Sequence, residues 1–459
     1  MEREKLGSRL GFILLSAGCA IGIGNVWRFP YVAGNSGGGF FVFIYLFFLA
    51  IMGLPIMTME FAVGRASQKS AVCSYQVLEK PGQKWHLHGW LAMAGNYLLM
   101  MFYTTVSGWM LHYFYMEVRG GFSGKDSKGV TQVFYEMLES PETMTFWMVV
   151  VVILGFFICA QGLQNGVERI TKYMMSALLV IMVVLAVRSA TLPGASEGLA
   201  FYLLPSWSKM QEIGVGNVIV SAMNQAFFTL SLGIGAMAIF GSYIGKSRSL
   251  FGESINVAVL DTFVAITAGL IIFPACFAYG VKPDSGPGLI FMTLPNIFNE
   301  MPGGRLWGSL FFAFMSFAAF STILAVFENI MSFGMDLWGW SRRKAAIVNI
   351  VVVGVLSMPC ILGFNVWSAF EPLKEGKNIQ DLEDFLVSNI LLPLGSLIYL
   401  LFCTCKWGWG WKNFTDEADT GSGLKVPRWM HVYCKWVLPC IVSVSYTHLR
   451  AHETEADLV

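Results

Sequence analysis

Apolar residues in this chain come in long uninterrupted runs joined by short polar connections, not in the strict alternation of a half-buried strand. Runs of about 20 residues match the length a helix needs to cross a bilayer. The pattern predicts membrane helices at about 10–33, 40–64, 89–116, 144–161, 168–188, 215–245, 253–280, 304–337, 345–363, 383–403 and 429–445. Two of these runs are interrupted by the same tripeptide, Gly22-Ile23-Gly24 in the first and Gly233-Ile234-Gly235 in the sixth. Glycine in a helix interior costs about 1 kcal/mol relative to alanine. In lipid, non-helical backbone survives only where protein buries it or where it lines a cavity. Broken helices in corresponding positions of two halves point to a transporter's binding site.

Composition agrees with the pattern. The chain of 459 residues is 55% hydrophobic and only 13% charged, against about 25% charged in soluble domains. The expected fold class is therefore an all-α polytopic membrane protein sitting in a lipid bilayer. A net charge of +1 offers no electrostatic footprint for nucleic acid. The nine cysteines lie mostly in or beside apolar segments, with no paired spacing, and read as small buried hydrophobes. The charged stretch 1–9 has no secretory-signal pattern and is expected to be a cytoplasmic N-terminus. Lys and Arg are about twice as frequent in the connections that this orientation places inside.

Three further segments carry expectations. The loop at 281–303 is long for a helix connection, and its apolar patch Leu289-Ile290-Phe291-Met292 suggests a lid folding back over the outer face. The eleventh segment gives way abruptly to a polar run at 446–459. That run reads as foreign to the helix it interrupts, with a short polar tail as the alternative. Ionisable residues at membrane depth are functional candidates by default. Arg28 and Asp384, near the outer ends of their helices, can pair and part as a gate. Glu60 can accept hydrogen bonds from the backbone of a broken helix, and Asp261 lies in the seventh segment.

Unwinding a helix frees N–H groups on one half and carbonyls on the other. The N–H groups and the positive dipole end suit a carboxylate. The carbonyls suit a hard cation, and Asn25, Thr229, Ser231, Ser321 and Thr322 add neutral oxygens. Small residues at Ala318-Ala319 would let helices approach closely.

The run from Arg9-Leu10-Gly11-Phe12 through Gly22-Ile23-Gly24-Asn25-Val26-Trp27-Arg28-Phe29-Pro30 resembles the signature of the neurotransmitter:sodium symporter family. Gly37-Gly38-Gly39-Phe40, Gly53-Leu54-Pro55 with Glu60 and Gly64-Arg65, and Gln225-Ala226-Phe227-Phe228-Thr229-Leu230-Ser231 extend the likeness, which runs from about 5 to 440. The resemblance implies the leucine-transporter fold. Its inverted repeats would cover 10–188 and 215–403, with the first and sixth helices broken and an eleventh helix at 429–445. It also implies sodium as the coupling ion and an amino acid as substrate.

Residue by residue, the resemblance implies one sodium site at the Ala20 carbonyl, Asn25, Thr229, Asp261 and the substrate carboxylate. A second would use the carbonyls of Gly18, Ile21 and Ala318 with Ser321 and Thr322. The substrate would meet the backbone from Ala20 through Gly22, Ile23 and Gly24, the Tyr103 hydroxyl, Phe228, Thr229, Ser231 and Thr322. Its side chain would meet Leu99, Ile234 and Val326. Arg28 and Asp384 would form the outer gate above Tyr103 and Phe228; Arg3 and Asp336, assisted by Tyr243, would form the inner one.

Gly22 stands where relatives that carry biogenic amines place an aspartate, which favours a substrate bringing its own carboxylate. Asp261 stands where many relatives have asparagine, and Ala265 offers no polar group beside Tyr45, Gln225 and Thr229. A fixed carboxylate there implies independence from chloride. Leu6 replaces the tryptophan usual in relatives, which loosens the expected inner plug. Proton coupling and a non-transporting amino-acid receptor are the alternative functions. The six histidines form no metal set and no catalytic constellation is evident, so an enzyme is not expected.

Overall fold

The computed structural model describes residues 4–281, 288–374 and 376–443. The structure is all-α, and its long helices follow the predicted segments. We label them α1a (Arg9–Ala20), α1b (Gly24–Asn35), α2 (Gly39–Ser67), α3 (His86–Arg119), α4 (Pro141–Ala160), α5 (Leu163–Ala190), α6a (Val215–Thr229), α6b (Ala236–Tyr243), α7 (Leu250–Ala278), α8 (Gly304–Trp338), α9 (Arg342–Leu362) and α10 (Ile379–Thr404). An eleventh helix, α11, starts at Met430 and runs to the end of the described residues at 443.

Seven of these helices are long and apolar enough to span a bilayer, or eight if α1a and α1b count as one. Helix α3 has the length but carries buried Asn96, Tyr103, Thr104, Thr105 and Ser107 toward the bundle. Its polarity follows from position, since it lines the interior rather than facing lipid. Helix α8 sits centrally, with almost every side chain from Phe311 to Gly334 buried, packed against α3, α4, α5 and α1a.

Both predicted breaks are present. α1a and α1b meet at an angle of 55°, and α6a and α6b are separated by the non-helical stretch 230–235. The described part of the segment expected as a lid, from 288 onward, packs against the bundle. Leu289, Ile290 and Phe291 are buried, and the Phe291 ring meets Trp27 at 5.9 Å, Trp109 at 5.7 Å and Tyr113 at 5.0 Å between centroids. Aromatic burial of this kind contributes beyond its area through edge-to-face contacts.

Short amphipathic helices missed by the span pattern fill the connections, among them Ala71–Leu78, Ser127–Glu139, Ala195–Leu203 and Trp411–Ala418. Their apolar stripes are too short to read as membrane segments. Arg3 and the run 446–459 lie outside the described residues.

Candidate substrate and ion site

The two breaks lie side by side around a small cavity. The wall is formed by Ala20, Gly22, Gly24, Leu99, Tyr103, Phe228, Ser231, Ile234 and Thr322, all expected from the sequence, and by Val387 and Leu392. Those last two come from α10. The signal that marked the other positions, a helix break, does not mark them. Val326 is fully buried but is not part of the wall.

The pocket is polar at one end and apolar at the other. The Tyr103 hydroxyl accepts a hydrogen bond from the Ile23 backbone N–H at 2.9 Å, and Asn25 Oδ1 accepts from the Gly22 N–H at 3.2 Å. Backbone donors therefore gather around α1's break, the place where an anionic group is favoured. Leu99, Ile234, Val387 and Leu392 supply the apolar part. Ser231 holds φ +50, an uncommon conformation for a non-glycine residue that costs about 1–3 kcal/mol and concentrates at functional sites.

Gly22 fills a packing requirement. A Cβ there would stand 2.2 Å from the Tyr103 hydroxyl and 2.5 Å from Thr322 Oγ1. Gly22→Ala is expected to weaken substrate binding about tenfold or more, because a displaced Tyr103 loses a hydrogen bond worth about 1 kcal/mol and encroaches on the pocket. Equilibrium binding of labelled substrate checks this; unchanged affinity would count against the assignment of the pocket.

Two groups of oxygens flank the pocket. In the first, Asn25 Nδ2 donates to Asp261 Oδ1 at 2.8 Å and Thr229 Oγ1 donates to Oδ2 at 3.1 Å. Asp261 is fully buried, so its carboxylate is held by neutral donors. A buried carboxylate in such a setting favours a cation beside it. In the second group, Ser321 Oγ donates to the Ile21 carbonyl at 3.2 Å and to that of Ala318 at 2.9 Å. Thr322 Oγ1 reaches the carbonyls of Gly18 and Ile21, each at 3.3 Å. Apart from Asn25 Nδ2, the atoms of both groups are oxygens, the ligand chemistry of a hard cation.

Glu60, fully buried on α2, accepts a hydrogen bond from the Gly233 N–H at the other break. Freed backbone needs such a partner away from water.

Above the pocket, Arg28 and Asp384 stand 3.8 Å apart. Ser388 joins them, accepting from Arg28 Nη1 at 3.1 Å and donating to Asp384 Oδ1 at 2.6 Å. The Arg28 guanidinium lies 4.2 Å over the Phe228 ring, which roofs the pocket. Ser388 was not among the expected residues; its place one turn after Asp384 was the available clue.

Below the pocket, Asp336 accepts from the Ser70 N–H at 2.7 Å and lies 3.6 Å from Lys69 Nζ. The Tyr243 hydroxyl donates to Glu328 at 2.7 Å, and Glu328 is clamped by Arg342 at 2.7 and 2.9 Å. The Leu6 N–H donates to the Tyr243 carbonyl at 3.3 Å, so the N-terminal stretch is fastened by backbone where a large aromatic side chain is lacking. Glu328 is a further charged residue at membrane depth that the sequence reading did not single out, and Arg342 reaches it from the first turn of α9.

The family model for the sodium:neurotransmitter symporter family matches residues 3–125 and 127–454. The chain is 34% identical to the sodium-dependent transporter YhdH of Bacillus subtilis, over 87% of each chain. It is 30% identical to a sodium-dependent transporter of Haemophilus influenzae, over 97% of this chain and 98% of that one. Among solved structures it resembles that of MhsT in complex with L-phenylalanine, with 39% identity, a TM-score of 0.87, and coverage of 97% of this chain and 100% of that one. The resemblance extends to the leucine-transporter fold with its broken helices. Over nearly its whole length, then, the chain belongs to the sodium:neurotransmitter symporter family, whose members are sodium-coupled transporters and not enzymes.

Proposed function

We propose that this protein carries a hydrophobic or aromatic amino acid across the cell membrane together with two sodium ions, by alternating access and without chloride. The observation that carries the reading is the joining of backbone donors, an apolar wall and oxygen-rich groups around one pocket at the two breaks. The structure of MhsT in complex with L-phenylalanine supports an aromatic substrate.

The substrate carboxylate meets the donors around Ile23 and Gly24 and completes the ion site at Ala20, Asn25, Thr229 and Asp261. That shared ligand couples the solutes, since neither site is complete alone. The second ion holds α1a to α8 through Gly18, Ile21, Ala318, Ser321 and Thr322. A ligand shifts only an equilibrium between states it binds differently. Sodium therefore favours the outward-facing state, in which both oxygen groups are assembled.

The repeats 10–188 and 215–403 place each broken helix first in its half. With the N-terminus in the cytoplasm of a bacterial cell, Arg28, Ser388, Asp384 and Phe228 close the outer path. Asp336 and Tyr243 close the inner one, with Arg3 assigned beside Asp336 from the sequence alone. Asp261 supplies the fixed negative charge that would otherwise come from chloride, next to buried Ala265.

Equilibrium binding with a panel of amino acids tests this. Aromatic and large aliphatic side chains should compete for one site in sodium chloride and in sodium gluconate alike, and not in potassium. Equal binding in potassium would exclude the sodium sites; a requirement for chloride would exclude the role given to Asp261. Ser321→Ala should raise the sodium concentration needed for half-maximal binding about tenfold, from the loss of one ligand oxygen worth about 1.4 kcal/mol.

A further inference from the structure

Away from the pocket and the gates, a recess lies on the outside of the bundle where the C-terminal half of α3 meets the first turns of α4. His112, Tyr115, Glu142, Thr143, Phe146 and Trp147 line it. Trp147 is its centre: the rings of His112, Tyr115 and Phe146 stand 5.7, 5.6 and 5.4 Å from the Trp147 ring between centroids. Tyr115 and Phe146 are exposed, and so are Glu142 at the start of α4 and Arg119 at the end of α3. The Arg119 guanidinium lies 4.7 Å over the Tyr115 ring. The recess belongs to the end of the bundle that carries Arg28 and Asp384, since Phe291 touches both Trp27, next to Arg28, and Tyr113, next to His112.

Trp and Tyr at a membrane–water boundary are ordinary anchors, but two features of this recess go beyond anchoring. Glu142 makes no ion pair among the described residues, and His112 Nδ1 is buried without a hydrogen-bond partner. With the ring proton on Nε2, Nδ1 is an acceptor. A carboxylate and an acceptor nitrogen beside the rings of Tyr115, Phe146 and Trp147 hold an ammonium group by charge, hydrogen bonds and the ring quadrupole. Arg119, one turn after Tyr115 on α3, adds a guanidinium whose fork matches a phosphate. Opposite charges on the two helices that form the recess fit a zwitterion.

The same flank of α4 continues into the hydrocarbon. Thr143 and Trp147 share one stripe of the helix with Leu154 and Ile158. Those two line an apolar groove completed by Leu111 of α3, Tyr173 and Met174 of α5 and Phe317 of α8. Leu154 and Tyr173 are exposed, and exposed Phe146, Val149, Ile153 and Phe157 run alongside. From Trp147 to Leu154 the helix rises about 10 Å, enough to pass from a headgroup layer about 5–8 Å thick into the acyl region. A soluble amine has no use for the lower groove, whereas a lipid fills both. We propose that this flank binds one phospholipid with a primary-ammonium headgroup, a phosphatidylethanolamine. Glu142, His112 and Trp147 hold the ammonium, Arg119 holds the phosphate, and the lower groove takes one acyl chain. A primary ammonium donates hydrogen bonds to the carboxylate and the imidazole. A trimethylammonium donates none, and a glycerol headgroup lacks the positive charge.

The test is a competition on the full chain purified in detergent. It is offered equal amounts of phosphatidylethanolamine, phosphatidylcholine and phosphatidylglycerol with identical acyl chains, and native mass spectrometry reads the lipid retained. The intact protein should retain phosphatidylethanolamine over phosphatidylcholine about tenfold, the size of one charge-assisted hydrogen bond. Glu142→Gln should lose that preference, and Trp147→Leu should reduce it. Arg119→Gln should weaken retention of all three lipids alike, since each carries a phosphate. Thermal unfolding in lipid-free detergent shows that each variant is folded, independently of any transport reading. No preference among the three lipids in the intact protein, or a preference that Glu142→Gln and Trp147→Leu both leave unchanged, would overturn the proposal. So would displacement of the bound lipid by an equal concentration of glycerophosphoethanolamine, which has the headgroup and no acyl chains, because the site would then be one for a soluble amine.

Discussion

Asp261→Asn is expected to reduce sodium-dependent substrate binding in chloride-free medium by about 100-fold, a cost of about 3 kcal/mol at the lower end of what breaking a buried charge pair removes. The reason is local. Asn25 Nδ2 and Thr229 Oγ1 both aim donors at the Asp261 carboxylate, at 2.8 and 3.1 Å. An amide offers one oxygen in place of two, carries no charge, and sets a second N–H donor against one of those partners. The sodium ion assigned there would lose its only full negative protein ligand. Because a mobile anion can replace a fixed one, chloride should restore part of the binding to this variant while leaving the intact protein unchanged. Titration of sodium in chloride and in gluconate, for both proteins, reads this directly. An unchanged sodium affinity in the variant would remove Asp261 from the ion site.

The second large effect is expected at Gly233→Ala. Gly233 holds φ +99, and an added Cβ would lie 2.3 Å from the Leu392 carbonyl and 2.8 Å from the Ser396 nitrogen. Strain in this backbone region costs about 1–3 kcal/mol, and the clash is with α10 backbone rather than with a flexible side-chain end. Relief would require α10 to move away from the break, taking Val387 and Leu392 out of the pocket wall. Substrate binding should fall by about 100-fold and thermal stability should drop. Gly354→Ala on α9, where an added Cβ meets nothing within 4 Å, should bind normally and serves as the control. Normal binding by Gly233→Ala would show that the break tolerates a regular conformation.

Much of this site was legible in the chain because its oddities are local. Paired glycines inside apolar runs locate the breaks, and polar residues near them, Asn25 and Thr229, with Ser321 and Thr322 in the eighth segment, mark the oxygen groups. The structure brings these together at 3.3 Å or less. What was not legible is what depends on long-range packing. Val387 and Leu392 are ordinary apolar residues until α10 is laid against the breaks. Val326, expected at the pocket, is fully buried on α8. The short helices between spans were invisible because their apolar stripes are only two to four turns long.

The gates show the same division. Arg28 and Asp384 stand out as opposite charges at membrane depth, but the bridge through Ser388 and the stacking on Phe228 are tertiary. On the inner side, Glu328 and Arg342 are only 14 residues apart in sequence. They meet because the chain reverses between α8 and α9.

The measurement that tests the central claim most directly is uptake of labelled L-phenylalanine by proteoliposomes containing the purified protein, with an inward sodium gradient and with choline in its place. Accumulation above the external concentration in sodium, lost in choline and insensitive to replacement of chloride by gluconate, is the predicted result. Binding without accumulation, or accumulation that persists in choline at fixed pH, would contradict sodium-coupled symport through this site.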